Sequence, residues 1–138
     1  MSRLIIRRPV QIRARVTPTL KKTLAAEIQD ALKRVELELQ QLDFQARRLT
    51  PEFERSSPQQ AQTLRAHLET ERQKRQEKKA ALLERLKEVA RLEEGTEIVQ
   101  GNVEGTVEVG VGDRWEEVMS AAIVLEDGVV VEIRDGRG

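Results

Sequence analysis

The 138-residue chain has no cysteine and no tyrosine, with one tryptophan, two phenylalanines and one histidine. Without cysteine there are no disulfides, thiolate metal sites or thiol nucleophiles. Aromatics at 2% of the residues leave little to line a large ligand pocket, whose walls are normally apolar and concave. Long apolar runs are missing too. The longest aliphatic stretch, Ala121 to Leu125, is far below the roughly 18 residues of a membrane span, and Met1 to Arg8 lacks the apolar region of a signal peptide. These absences predict a soluble, cytoplasmic protein that does not engage a membrane and is not a pocket enzyme.

Charge is abundant, at 35% of the residues, and 24 bases balance 24 acids. The balance hides an asymmetry. Residues 1–26 hold seven bases (among them Arg3, Arg7, Arg8, Arg13 and Arg15) and no acid, whereas Glu93 to Gly138 holds twelve acids and three bases. A basic arm for nucleic acid is one reading. The other is that the two ends pair within one small sheet, where their charges compensate.

Thr17-Pro18 starts a helix, with Thr17 as cap and Pro18 at the first helical position, where the missing N–H costs nothing. From there Ile28, Leu32, Val35, Leu39, Leu42, Ala46 and Leu49 alternate steps of four and three, a heptad seam. Leu37 and Phe44 lie on the opposite side of the same helix. Pro51 disfavours helical geometry at Thr50, so residues 50–57 read as a connection. Ser57-Pro58-Gln59-Gln60 resembles a capping box that opens a second helix, which Gly95 closes. Helices so joined are antiparallel neighbours.

The second helix is apolar near its two ends, but from Glu69 to Lys79 it contains no apolar residue. Stems of Arg and Lys cover some of the facing surface. Even so, the two-faced first helix against a polar second helix predicts a homo-oligomer joined through Leu32, Val35, Leu37, Leu39 and Phe44. Arg72, Lys74, Arg75, Lys78 and Lys79 form a basic run on helix two that, with Arg13 and Arg15, offers a phosphate-binding alternative. No aromatic interleaves to stack on bases, and acids at i,i+3 and i,i+4 spacing are available to pair with the run.

Before the first helix, Val10, Ile12, Ala14 and Val16 alternate with Gln11, Arg13 and Arg15, the period of a half-buried strand. After the second helix Val99, Val103, Val107, Val109 and Val111 share one face with Gly101 and Gly105, glycines that mark bends or bulges. Ala121 to Leu125 and Val129 to Ile133, joined through Asp127-Gly128, form a hairpin. Trp115 is expected to plug the small core. The expected fold is α+β: a long antiparallel helical hairpin over residues 18–94 and a small antiparallel β module of four or five strands from residues 1–17 and 95–138.

No catalytic constellation, metal-ligand cluster or cofactor motif is visible. His67 is isolated on a helix and reads as exposed. Ser56, Ser57 and Ser120 have no base nearby, and Glu116-Glu117 are adjacent in sequence rather than converging on one bond. Leu42-Asp43-Phe44-Gln45, and above all the run from Gly95 through Gly101-Asn102-Val103-Glu104-Gly105 to Gly112-Asp113-Arg114-Trp115, resembles the YlqD family of small bacterial proteins. That family has no assigned activity and thus no catalytic residues to transfer. The resemblance implies a bacterial cytoplasmic setting, and the habit of such genes to neighbour ribosome-maturation and tRNA-modification genes leans towards RNA. The expected function is a non-enzymatic oligomeric scaffold or adaptor that binds a protein partner, with an RNA- or ribosome-associated binding module as the alternative.

Overall fold

The computed structural model describes residues 2–137. The elements run β1 (Arg3–Arg15), α1 (Pro18–Ser56), α2 (Pro58–Arg91), β2 (Glu97–Gly110), α3 (Trp115–Val118), β3 (Ala121–Glu126) and β4 (Val129–Asp135). The chain forms two compact units, Lys22–Arg91 and the combination of Met1–Lys21 with Leu92–Gly138.

The helical unit is the expected antiparallel hairpin. Its register is read from four ion pairs: Glu54 with Arg65, Asp43 with Arg72, Glu38 with Arg75 and Glu36 with Lys79. The last three pairs straddle Ser57 at nearly equal distances along the chain, and Glu54 with Arg65 lies next to the turn. The turn is tighter than the connection expected over residues 50–57, because α1 continues through Thr50 and Pro51 to Ser56. Ser57 alone joins the two helices. Its N–H donates to the Phe53 carbonyl, closing α1, and its hydroxyl accepts the Gln60 N–H at 3.4 Å, capping α2. Only this half of the capping box is seen.

Beyond Pro51 the last turn of α1 is closed by the Phe53–Ser57 bond and tied to α2 by Glu54 with Arg65. A proline inside a helix still deletes one backbone bond, at a cost of up to about 3 kcal/mol. Pro51→Ala is therefore expected to stabilise the chain by about 1 kcal/mol once the stiffer unfolded state of the proline form is allowed for. An unchanged or lower thermal midpoint would show that the helix end needs the ring.

The second unit is a four-stranded sheet of order β2-β1-β3-β4. It is mixed, a correction to the antiparallel module: β1 pairs antiparallel with β2, but parallel with β3 over Gln11 to Ala14. Two long helices between β1 and β2, and α3 before β3, remove the hairpin constraint that forces neighbouring strands to alternate direction. The β3–β4 hairpin turns as expected, with Asp127 at φ 49° and Gly128 at φ 81°. Thr17 caps α1, its hydroxyl accepting the Leu20 N–H at 3.1 Å.

Registers decide which side chains share a face. Ile12 lies beside Gly101 and Ile123, and Ile123 beside Ile133. Val10, Ala14, Val103 and Val107 belong to that apolar face. Arg13 lies beside Val99 and Val124, and Val124 beside Glu132, on the opposite, charged face. A bulge between Ile12 and Arg13 leaves Gln100 as the extra residue of β2. Val99 therefore sits on the charged face instead of with Val103 and Val107, and Ile98 takes its place opposite Ala14.

Candidate functional site

Trp115 is not the core plug expected from the sequence. It begins α3 and is 62% exposed, while Val118 at the end of that helix is fully buried. The centre of this small unit is filled by β-branched and small side chains, with Ala14, Val16, Val107, Val118 and Val124 all buried.

The charged face carries a network over Val124. Arg134 of β4 makes two bonds to Glu97 of β2, at 2.8 and 2.7 Å, and bonds Glu132 at 3.0 Å. Arg13 lies 3.6 Å from Glu97, and Arg15 lies 3.9 Å from Glu132. Arg134 holds the Glu97 and Glu132 carboxyls below the ordinary carboxylate range, and the two carboxylates hold Arg134 firmly protonated. Further along, Arg3 pairs with Glu108 and Arg7 with Glu104. The opposite charges of the chain ends thus meet within one sheet.

On the apolar face lies a residue the sequence reading passed over. Arg8 has the same strand parity as Val10, Ile12 and Ala14 and is only 9% exposed. It donates to the Val118 carbonyl at 2.7 Å and to Asp135 at 3.0 Å, while its Nε has no partner. Strand alternation from Val16 back to Ile6 is the signal that would have found it.

In the helical unit Val35 is 1% exposed, which removes it from the oligomer surface predicted above. Leu32 and Leu39 are half-buried. Arg75 and Lys79 of α2 reach across to Glu38 and Glu36 of α1. Leu37 and Phe44 are different. They are 55% and 62% exposed and, with Gln40, Gln41, Gln45 and Arg48, line an open groove along the outer face of α1. Of the three large aromatics in the chain, two therefore sit at the surface.

The candidate phosphate-binding residues are mostly engaged. Arg13 and Arg15 pair within the sheet, Arg72 with Asp43, Lys74 with Glu71, Arg75 with Glu38 and Glu71, and Lys79 with Glu36. Arg75 and Lys74 draw the Glu71 carboxyl below its ordinary value. Lys78 and His67 are exposed. Among the described residues, no group of three or more His, Cys, Asp or Glu could hold a metal ion, and no helix is long and apolar enough to cross a membrane.

A protein of unknown function from Synechococcus sp. WH 8102, solved by crystallography, is similar to this one. The two share 31% of their residues, with a TM-score of 0.86 over 96% of this chain and 97% of that chain. No curated protein matches the sequence. The model of the YlqD protein family matches residues 4–134, nearly the whole length and both structural units, so the chain belongs to the YlqD family.

Proposed function

We propose that the protein is a non-enzymatic scaffold that self-associates through the outer face of α1 and, so assembled, holds a partner protein. The observation that carries this reading is the Leu37–Phe44 groove. An aromatic and an aliphatic anchor lie exposed on one helix face, rimmed by glutamines and one arginine and lined by no carboxylate. Interface centres have this anatomy: anchoring aromatics, few charges, and polar side chains around the edge. Charged residues make up 35% of this chain, so a stretch so poor in charge stands out from its surroundings.

The test is the mass of the native chain by light scattering over a dilution series. Wild type is expected at twice the chain mass or more at micromolar concentration. Leu37→Glu with Phe44→Glu is expected to run as a monomer with unchanged helicity, since both side chains already face water. A wild-type monomer at every concentration would overturn self-association. Tight binding of structured RNA that weakens steeply with salt would favour the phosphate-binding alternative.

A further inference from the structure

The outer face of α1 carries a charge order that specifies how a second copy lies on it. At 100° per residue Asp30, Lys33, Arg34, Leu37, Gln41, Phe44, Arg48, Glu52 and Arg55 fall within an arc of about 100°. All are exposed, and Asp30, Lys33, Glu52 and Arg55 belong to none of the ion pairs found among the described residues. Other α1 acids, Glu36, Glu38, Asp43 and Glu54, are spent on α2. The stripe thus reads acid, two bases, apolar centre, base, acid, base. Turned end for end, its outer charges complement one another, and Arg34 and Arg48 face no charge.

We infer that α1 is the contact helix of an antiparallel homodimer, with its two-fold axis between Leu42 and Asp43. This inference rests on the self-association proposed above and adds the partner's orientation and register. With the axis there, Asp30 meets the second copy's Arg55 and Lys33 meets its Glu52. By symmetry each pair occurs twice. Phe44 meets the second copy's Gln41, and the two phenylalanines lie about 5 Å apart along the helix axis, near enough to pack. Leu37 lies against the stem of the second copy's Arg48.

Two competing arrangements lose on charge. A parallel pair in register sets every charge against its own copy. Moving the axis to between Gln40 and Gln41 brings Leu37 against Phe44 but sets Lys33 opposite Arg48 and Arg34 opposite Arg47. Overlap from Asp30 to Arg55 is about 38 Å of helix. Two such helices bury on the order of 1,000 Å² in total, below the usual range of stable interfaces, so a weak, concentration-dependent dimer is expected.

The absence of cysteine makes introduced thiols unique, so orientation can be read by cross-linking the full chain. Lys33→Cys protein mixed with Glu52→Cys protein is expected to join through a short bis-maleimide, whereas Lys33→Cys alone is not. Charge reversal gives an independent readout: Lys33→Glu is expected to weaken dimerisation about 10-fold, and the double variant Lys33→Glu/Glu52→Lys to restore it. These positions are exposed on one helix, so circular dichroism should not change.

Self-linking of Lys33→Cys, or failure of the second reversal to rescue, would overturn the antiparallel register while leaving self-association intact. A dimer that links in neither combination would do the same. A chain of monomer mass overturns both readings together.

Discussion

Replacing Asp135 with alanine is expected to cost about 2 kcal/mol, more than replacing its partner Arg8 with methionine, which is expected to cost about 1 kcal/mol. The ordering follows from burial. Asp135 is the wetter partner, so its loss costs less than the 3–5 kcal/mol typical of a broken buried pair, but it strands a guanidinium that is almost wholly inside the sheet unit. Methionine at position 8 instead withdraws the charge along with its unpartnered Nε. What it leaves is a carboxylate that water can reach and a Val118 carbonyl without its 2.7 Å donor.

The double variant should then be more stable than Asp135→Ala alone, because the charge left stranded by the first change is removed by the second. Urea unfolding of the four proteins checks this. Equal losses for the two single variants would mean that Arg8 is solvated by other means.

The same pair shapes the acid limb of stability. Arg8, and after it the Arg137 backbone N–H, hold the Asp135 carboxyl below its ordinary value, and Arg134 does the same for Glu97 and Glu132. A carboxyl whose folded pKa lies below its unfolded value binds fewer protons in the folded state. Its contribution is therefore complete above the ordinary carboxylate range and drains away as pH falls through and below it. Wild type is expected to hold its stability from neutral pH down to about pH 5 and to lose it progressively below. Arg8→Met should lose less across that window, since Asp135, left with the Arg137 N–H as its partner, gains less from folding. An acid limb of unchanged steepness in Arg8→Met would show that Asp135 titrates without regard to Arg8.

Gly136→Ala is expected to destabilise by about 2–3 kcal/mol, the upper range for an extra methyl in a place with no room. A Cβ built there would lie 2.5 Å from the Glu117 carbonyl oxygen and 2.8 Å from the Ser120 Cβ, and backbone atoms cannot swing aside as a long side chain would. The close approach lets the Gly136 N–H donate to the Ser120 carbonyl at 2.8 Å, which ties the end of β4 to the residue just before β3. Next to it, Arg137 donates to the Glu108 carbonyl of β2 at 2.7 Å, so pushing the chain away at Gly136 also strains that tie. Gly101→Ala is the control. Nothing lies within 4 Å of a Cβ built at that position, and the change should be close to neutral. Comparable thermal midpoints for the two variants would show that the chain near Gly136 moves aside freely.

Local patterns carried much of this fold. The heptad seam from Ile28 to Leu49, the cap at Thr17, the alternation from Val10 to Val16 and the Asp127-Gly128 turn were legible because each depends on neighbours within a few residues. The resemblance around Gly95 to Trp115 pointed to the family that the match over residues 4–134 establishes. The expectation that the basic and acidic ends would meet needed no more than counting charges.

Other features had no local cause. Whether β3 runs parallel or antiparallel to β1 depends on where the intervening helices deliver the chain, and Val99 changed faces because a single extra residue, Gln100, was absorbed far from any turn. Val35 and Phe44 lie on the same helix and both read as unsheltered, yet one is covered and the other is open. Periodicity along α1 holds no record of that difference, nor of the ion pairs that Arg75 and Lys79 of α2 make with Glu38 and Glu36. Short-range preferences chose the elements. Long-range packing, where side chains meet neighbours dozens of residues away, chose strand direction, the burial of Arg8 and the exposure of Leu37 and Phe44.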